Sequence, residues 1–474
     1  MSAALPTEWL LSAVPVIASV IIASGLLQNA VYLFQLVLAW KVLHARAPAE
    51  SGRGLWWQFS DVTMPIAILA PAYNEEATIV DSLRSLLGLR YPVFEVIVIN
   101  DGSRDGTLAA LIEGFQLRPV RRVYDSSVPH KPIRELYGSA LYPNLLVIDK
   151  ENGGKADALN AGMVVARSPL ICAVDADSLL EADALLQCVK PFIEDPLRTV
   201  AVGGTIRIAN GCVVRAGQVV EVGLPTNMVA LFQTVEYLRA FLMGRLAWSE
   251  MRALTLISGA FGIFRRDVAL AVGGYSTDTI GEDAEIIVKI HKLMYERKRD
   301  YRIMFLPEPV CWTEAPESLR ILRRQRVRWQ RGALETFFRH WRMLFNPRYG
   351  RIGLLGFGHL LVADVLGPPL EALGYVLMPI FWYLGMIDYH YLLAFTALVF
   401  VFGVFLSVCS LILEEMELAR FAKAGDLLIL AGVAVLENFG YRQLNNLWRI
   451  EGWWRYLSGQ KGGWGAMPRL GFRR

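Results

Sequence analysis

Residues 11–40 contain no charged side chain, and this run constrains the fold more than any other feature of the chain. About 20 apolar residues are enough for a helix to cross the hydrocarbon core of a bilayer. The run is too long for the apolar part of a secretory signal peptide, and no small-residue cleavage site ends it. It therefore predicts one transmembrane helix within residues 1–45. Basic residues follow at positions 41–53, so the positive-inside rule places the next domain in the cytoplasm and the N-terminus outside.

Further apolar segments lie near the C-terminus, at 352–368, 369–387, 391–413 and 426–449. The first is short and contains Asp364, so it could lie at the membrane interface instead of crossing. The basic tail that follows is typical of a cytoplasmic segment. An even number of crossings must then separate the central domain from the tail. Four crossings with residues 414–417 outside are expected, and two crossings with interfacial segments are the alternative.

The middle of the chain differs in composition from its ends. The whole chain is 54% hydrophobic, with a mean hydropathy of +0.36, but residues 60–345 resemble an ordinary soluble protein. The net charge of +4 does not suggest nucleic acid as a partner. The five cysteines and six histidines lack the spacing of a disulfide framework or a zinc site. We expect a central α/β domain at 60–315, an amphipathic helix at 316–350, a membrane bundle at 351–450 and a tail at 451–474.

Strand-like and helix-like patterns alternate through the central domain. Strands are predicted at 66–70, 94–99, 145–148, 170–174 and 200–206, and helices at 76–88, 105–116, 155–166 and 179–193. This alternation indicates a largely parallel sheet, whose ligands bind beyond the carboxyl ends of the strands. Neither a P-loop nor a dinucleotide-binding fingerprint is present. Lys155, after two glycines, could place a cation near a phosphate or simply follow a turn into a helix.

Two carboxylates, Asp175 and Asp177, directly follow the strand predicted at 170–174. Residues two apart on an extended chain point the same way, so both carboxylates can face one ligand. Hard oxygen ligands suit Mg²⁺ or Mn²⁺, and such ions neutralise diphosphates. Taken alone, the pair is more typical of a strand that runs into a turn. Three further features that follow it in order favour the metal site: Gly281-Glu282-Asp283, Gln325-Arg326-Val327-Arg328-Trp329 and the apolar segments.

The first of these features, Glu282 with Asp283, precedes a helix predicted at 284–295. Acids in the first turn of a helix act either as catalytic groups or as partners of the helix dipole, and the pattern alone leaves both open.

A basic amphipathic helix is predicted at 319–345. Most of its arginines suit an anionic membrane surface. For Gln325, Arg328 and Trp329 we favour a binding site, because arginine can fork onto a diphosphate and tryptophan offers a flat platform for a sugar ring.

The motifs form an ordered set: Pro71-x-Tyr73-Asn74-Glu75, Asp101-Gly102-Ser103, Lys155 to Asn160, Asp175-x-Asp177, Ser258-Gly259, Gly281-Glu282-Asp283 and Gln325-x-x-Arg328-Trp329. In this order they resemble the membrane-embedded family 2 glycosyltransferases. The resemblance is to the processive branch, which includes poly-N-acetylglucosamine, hyaluronan, chitin-oligosaccharide and cellulose synthases. It covers roughly residues 65–345 and implies a GT-A (Rossmann-like) domain in the cytoplasm, with transmembrane and interfacial helices around it.

The resemblance implies a role for each motif residue. Tyr73, Glu75 and Asp101 would hold uridine, and Lys155 and Asp175 would approach ribose and diphosphate. Asp177, with Asp175, would bind the metal. Asp283, beside Glu282, would be the general base. Gln325 and Arg328 would hold the diphosphate and Trp329 the acceptor sugar. Trp464, in the tail, is similar to a gating-loop residue of hyaluronan synthases, although the spacing of its motif differs by two residues.

The resemblance further implies inverting, processive transfer from a UDP-activated hexose, most closely UDP-N-acetylglucosamine, to a growing extracellular polysaccharide. Mg²⁺ or Mn²⁺ would be the cofactor. A bacterial inner membrane would be the location, with the lipid bilayer and small membrane or periplasmic subunits as partners. Two other hypotheses stay open at this point: non-processive transfer of a single sugar to a lipid acceptor, and a transporter or inactive scaffold.

Overall fold

The computed structural model describes residues 7–45, 52–124, 126–176, 178–215, 217–418 and 424–460. Its strands are β1 (Ile66–Ala72), β2 (Phe94–Asp101), β3 (Leu117–Pro119), β4 (Ile133–Ser139), β5 (Leu145–Lys150), β6 (Leu170–Val174), β7 (Leu179–Leu180), β8 (Thr199–Ile208), β9 (Val213–Arg215), β10 (Gln218–Glu221), β11 (Phe261–Arg265) and β12 (Arg302–Thr313). Its helices are α1 (Thr7–His44), α2 (Gly52–Phe59), α3 (Ile79–Leu87), α4 (Thr107–Phe115), α5 (Lys155–Val165), α6 (Ala184–Glu194), α7 (Met228–Leu238), α8 (Leu246–Glu250), α9 (Arg266–Ala271), α10 (Glu282–Glu296), α11 (Leu319–Arg339), α12 (Ile352–Tyr383), α13 (Tyr389–Met416), α14 (Ala424–Leu436) and α15 (Tyr441–Leu457).

One mixed sheet forms the centre of the domain, with the described strands in the order β3-β4-β5-β2-β1-β6-β11-β8-β12-β7. Strands β5, β2, β1 and β6 run parallel. Their side chains are almost all buried, which explains why these strands are continuous apolar runs instead of alternating ones. The carboxyl ends of these parallel strands meet at one edge, and the motif loops leave the sheet there.

The five predicted strands are confirmed, each with longer or matching limits in the structure. The helix predicted at 179–193 is wrong at its start. Leu179 and Leu180 form the short strand β7, which pairs with Trp312 and Cys311 of β12, and the helix begins only at Ala184. Two adjacent leucines fit a helix or a strand equally well. Pairing with β12, which is distant in sequence, determines that they form a strand.

Three helices among the described residues are long and apolar enough to cross a membrane: Ala13–His44 within α1, α12 and α13. They locate the protein in a membrane. The expectation of separate segments at 352–368 and 369–387 is wrong, because α12 runs through both without a break. Pro368 and Pro369 begin its last α-helical part, and the π-helical segment Leu361–Leu366 precedes them. Such local changes of winding let a long helix accommodate prolines.

The end of α13 lies beside the central domain. Its buried Glu414 pairs with Arg207 of β8, and Leu413 packs into the core around the sheet. The expectation that residues 414–417 lie on the opposite side is therefore wrong. By contrast, Val14 and Ile21 near the start of α1 pack with Met378 of α12 and other residues at the far end of the bundle.

The apolar segment expected at 426–449 is divided in two near Gly440, whose φ is 100°. Helix α14 has 13 residues and spans about 20 Å, less than the hydrocarbon core requires. One of its faces packs against Leu231 and Val235 of α7, whereas Leu428 and Ile429 on the helix are exposed. Helix α15 packs against α11 through Trp448. The structure thus favours the alternative of two long crossings after the domain.

The helix predicted at 319–345 ends earlier, at Arg339.

Candidate active site

A cavity of about 2520 Å³ opens at the carboxyl ends of the parallel strands and continues between the helices of the bundle. Of the residues that the sequence assigns to a site, these line it: Tyr73, Glu75, Asp101, Lys155, Asp175, Glu282, Asp283, Gln325, Arg328 and Trp329. The two others, Asp177 and Trp464, lie outside the described residues. Residues more than 250 positions apart in sequence are therefore brought to one cavity.

The loops after β1 and β2 are joined to each other by hydrogen bonds. Asn74 adopts a φ of 56°. Its backbone N–H donates to Ser103 Oγ (3.0 Å), and its side-chain oxygen accepts from the N–H of Arg104 (2.8 Å). The N–H of Glu75 donates to Thr107 Oγ1 (2.9 Å). These bonds fix the loop on which Tyr73, 44% exposed, borders the cavity.

Asp101 is held by the protein itself. Its carboxylate accepts hydrogen bonds from Lys150 Nζ (2.6 Å), Asn152 Nδ2 (3.2 Å) and the N–H groups of Gly153 (3.0 Å) and Gly154 (2.7 Å). A carboxylate has about four acceptor positions, so these bonds fill them. Lys150 is fully buried and also pairs with Asp157 at 2.7 Å. The uridine contact expected of Asp101 stays a prediction, and its evident role is to hold the 152–154 loop. Sequence reasoning missed Lys150, whose signal was only a lysine at a strand end.

A second group of polar residues surrounds Gly259. Lys155 pairs with Asp175, and Lys155 Nζ also donates to the Gly259 carbonyl (2.9 Å). The Gly259 N–H donates in turn to Asp283 Oδ2 (3.1 Å). A Cβ at position 259 would lie 3.0 Å from Lys155 Nζ. Glycine therefore allows the cation and the two carboxylates to gather at one point.

Burial and charge together set the ionisation of this group. Burial would lower the pKa of Lys155, but Asp175, Glu282 and Asp283 together raise it above its usual value. Burial, and then the charge of Asp283, raise the pKa of Glu282, which is only 4% exposed. Burial lowers the pKa of Arg328, and the same carboxylates oppose this effect. The site thus combines permanent cations with one carboxyl group that is easily protonated.

Helix α11 contributes the remaining predicted residues. Gln325 Oε1 is buried and has no hydrogen-bond partner among the described residues. Trp329 is 44% exposed, and the guanidinium of Arg326 lies 4.4 Å from the centre of its ring. Arg326 also donates to Glu236 Oε2 of α7 (2.8 Å), which fixes the side chain that supports the tryptophan.

Helices α10 and α11 touch through two glycines. A Cβ on Gly332 would lie 2.9 Å from the Cα of Gly281, the residue just before Glu282. One turn further on, Glu335 Oε2 accepts from Thr279 Oγ1 (2.8 Å) and from the N–H of Ile280 (2.9 Å). This joint sets the distance between Asp283 on one helix and Arg328 on the other. In the sequence, the spacing of Gly332 and Glu335 after Trp329 did not indicate this contact between α10 and α11.

The part of the cavity inside the bundle is lined by polar side chains that sequence reasoning largely missed. They are Gln28, Tyr32, Gln35, Glu236, Arg239, Arg245, His359, Arg442, Asn445 and Asn446, together with Asp364 and Glu371, the two acids that the sequence does indicate for a polar bundle interior. Several are paired: Arg239 with Glu437 (2.5 Å) and Arg449 with Asp364 (2.8 Å). Polar residues within apolar segments were the available signal, since such groups face a bundle interior or a water-filled path.

The predicted metal site is only partly visible. Within the described ranges, no three His, Cys, Asp or Glu side chains form a group that could hold a metal. Asp175 borders the cavity next to Lys155, and Asp177, two residues further on, is outside those ranges. The described ligand, Asp175, offers the hard carboxylate oxygens that Mg²⁺ and Mn²⁺ prefer, so it fits such an ion.

Two family profiles match this chain: "Glycosyl transferase family 2" over residues 67–269 and "Glycosyl transferase family group 2" over residues 170–410. The second match covers just over half of the chain. The chain belongs to the group 2 family of glycosyl transferases. The first match covers nearly all of β1 and continues into α9, the second includes α10, α11, α12 and most of α13, and both include the Asp175-x-Asp177 motif.

Among curated proteins, the chain is similar to the poly-beta-1,6-N-acetyl-D-glucosamine synthases of Staphylococcus epidermidis (31% identical over 274 residues) and Staphylococcus aureus strain COL (32% over 277 residues). These matches cover 58% of this chain and 56% of each relative, so the chain spans about half the length of the relatives. Among solved structures, the mannosyltransferase PcManGT from Pyrobaculum calidifontis is 19% identical, with a TM-score of 0.53, over 93% of this chain and 99% of that one. This likeness confirms the predicted GT-A fold.

Proposed function

We propose that this protein is an inverting, processive β-glycosyltransferase that polymerises a UDP-activated hexose, UDP-N-acetylglucosamine above all, and passes the product across the membrane. The observation that carries the proposal is the single cavity, which joins the predicted donor residues to the polar interior of the helix bundle. The printed names of the staphylococcal relatives support the choice of sugar. A scaffold without activity would not need charged side chains gathered at the ends of the parallel strands.

In the proposed reaction, the chain's own cations hold the donor diphosphate. Lys155 and Arg328 lie where burial strengthens their attraction for phosphate oxygens, and the buried Gln325 adds a hydrogen-bonding group. Tyr73 and Glu75, on the loop after β1, face the uridine. Asp175 and Asp177 would hold Mg²⁺ or Mn²⁺, which supplies positive charge to the leaving diphosphate when bound. The PcManGT structure contains Mn²⁺ with GDP-mannose.

Asp283 is the proposed general base. It accepts the proton of the acceptor hydroxyl while that hydroxyl attacks C1 of the donor, and the leaving UDP departs from the opposite face, which inverts the linkage to β. Burial, and then the charge of Asp283, raise the pKa of Glu282, which favours the protonated form of this neighbouring carboxyl group. Trp329, open to the cavity, is placed to stack on the terminal sugar of the acceptor.

The proposed orientation follows from the distribution of charge and packing. The catalytic domain at 60–315 and the helix within 316–350 lie in the cytoplasm of a bacterial cell. The membrane part at 351–450 crosses twice, through α12 and α13, and the tail at 451–474 returns to the cytoplasmic side. Small membrane or periplasmic subunits are the proposed partners of the bundle surface.

The test is UDP release by the purified full-length chain in lipid nanodiscs against a panel of UDP-sugars, with and without a chelator. We expect release with UDP-N-acetylglucosamine, its loss in chelator, and β-linked hexosamine in the product. Release without chelator sensitivity would contradict the metal site, and preference for another sugar would contradict the assigned donor. The alternative of single transfer to a lipid acceptor predicts a product one sugar long.

A further inference from the structure

A small group of unpaired donors lies where the membrane helices meet the catalytic domain. Helix α7 continues through a π-helical segment, Arg239–Arg245, into α8. Arg245 and Trp248 are three residues apart on this continuous helix and both border the cavity. Gln35 of α1 reaches the same place, since its Oε1 is 3.7 Å from where a Cβ of Gly244 would be.

Each of the three side chains has a buried nitrogen that lacks a hydrogen-bond partner among the described residues. These atoms are Gln35 Nε2, Arg245 Nη1 and Trp248 Nε1. Gln35 is only 2% exposed. A buried donor without a partner is unfavourable, so three together indicate a ligand that supplies acceptor atoms. Unpaired acceptors line other parts of the cavity, at Gln325, Asn445 and Asn446.

The group lies close to the proposed base. The charge of Asp283 acts on Arg245 and opposes the effect of burial, which lowers the pKa of Arg245 to about 10. The Arg245 guanidinium stacks on Phe241, 3.7 Å from the ring centre, and the Trp248 ring lies 4.9 Å from that of His359 in α12. The three donors are therefore on the bundle side of Asp283, the side on which the growing chain lies in the proposed function.

We infer that Gln35, Arg245 and Trp248 form a subsite for the acetamido group of the acceptor chain, a role that rests on the proposed function. An amide carbonyl accepts two hydrogen bonds and carries no charge, so it matches a set in which every unpaired atom is a donor. A sugar with a free amine lacks that carbonyl. Its protonated form offers only donors and is repelled by Arg245. The subsite thus accepts N-acetylated acceptors and rejects de-N-acetylated ones.

The test uses the full-length chain in nanodiscs with two acceptors: a β-1,6-linked glucosamine oligomer in its fully N-acetylated form, and the same oligomer without acetyl groups. We measure KM for each oligomer and, separately, KM for UDP-N-acetylglucosamine. The parent should prefer the acetylated oligomer. Trp248→Phe and Gln35→Leu should each raise KM for the acetylated oligomer about three- to tenfold, as expected for loss of one hydrogen bond. Each variant should therefore show a smaller difference between the KM values of the two oligomers. Their KM for the donor should change less.

Trp341→Phe is the matched control, because Trp341 is 57% exposed and is not among the residues that line the cavity. It should retain the parent values, and thermal unfolding should show that all variants are folded. A parent that elongates both oligomers equally, or variants that leave KM for the acetylated oligomer unchanged, would overturn the inference while the proposed function stands. A parent that elongates neither oligomer and releases no UDP would overturn both.

Discussion

At the scale of single residues, Asp283 offers the sharpest test of chemistry. Asp283→Asn keeps the shape of the side chain and its acceptance of the Gly259 N–H, but it removes the base. We expect transfer to fall by about a hundredfold or more while the UDP-sugar still binds. Turnover and donor affinity are measured on the same preparation. Asp81→Asn, at a side chain that is 71% exposed on α3, is the control. Transfer close to the parent rate in the Asp283 variant would remove Asp283 from the mechanism.

Also at the scale of single residues, a substitution at Asp101 distinguishes a role in stability from a role in UDP-sugar binding. Asp101→Asn leaves the fully buried Lys150 with one carboxylate partner fewer, and removing a partner from a buried ion pair typically destabilises a protein by about 3–5 kcal/mol. We therefore expect thermal unfolding at a clearly lower temperature, with a smaller effect on donor KM once the variant is folded. A stable variant with greatly weakened UDP-sugar binding would show instead that Asp101 contacts the uridine, as the family resemblance implies.

At the scale of elements, the joint between α10 and α11 should control catalysis without touching the substrate. Gly332→Ala places a methyl group 2.9 Å from the Cα of Gly281, so the two helices must separate. Displacing the base from the diphosphate-binding arginine should lower kcat about 10- to 100-fold, with a smaller change in KM for the donor. The control is Gly114→Ala in α4, where the nearest atom is 3.4 Å away and alanine favours the helix. Unchanged kcat in Gly332→Ala would show that the joint tolerates movement.

The elements differ in how far the sequence predicts them, for physical reasons. Strands β1, β2, β5 and β6 are predictable because burial on both faces requires continuous apolar runs. Strand β4, between the edge strand β3 and β5, is mostly half-buried and lacks that pattern, so pairing alone defines it. Helix α14 has the composition of a membrane segment, but one of its faces covers α7.

The chemistry of the cavity is predictable from motif order. The donors on Arg245 and Trp248 are not, because only tertiary packing brings α1 and α8 together.

At the scale of the whole molecule, the packing of the helix bundle predicts the membrane topology. The turn between α12 and α13 belongs to the end of the bundle remote from the catalytic sheet, where Met378 and Phe395 pack with Val14. A cysteine introduced at Leu384, which is 57% exposed, should be labelled in intact cells by an impermeant reagent. Arg84→Cys on α3 should be labelled only after the membrane is opened, and the parent sets the background from its five native cysteines. Labelling in the reverse order would invert the proposed orientation.

The proposed function requires one cavity that both joins sugars and guides the product, and the length of the product reports on this requirement. The purified chain in nanodiscs is given UDP-N-acetylglucosamine with an excess of acceptor oligomer, and products are sized after only a small fraction of the acceptor has reacted. The proposed function predicts long polymers beside unreacted acceptor, because each growing chain stays in the cavity that runs from Asp283 into the bundle. Products extended by a single sugar on most acceptors would contradict it.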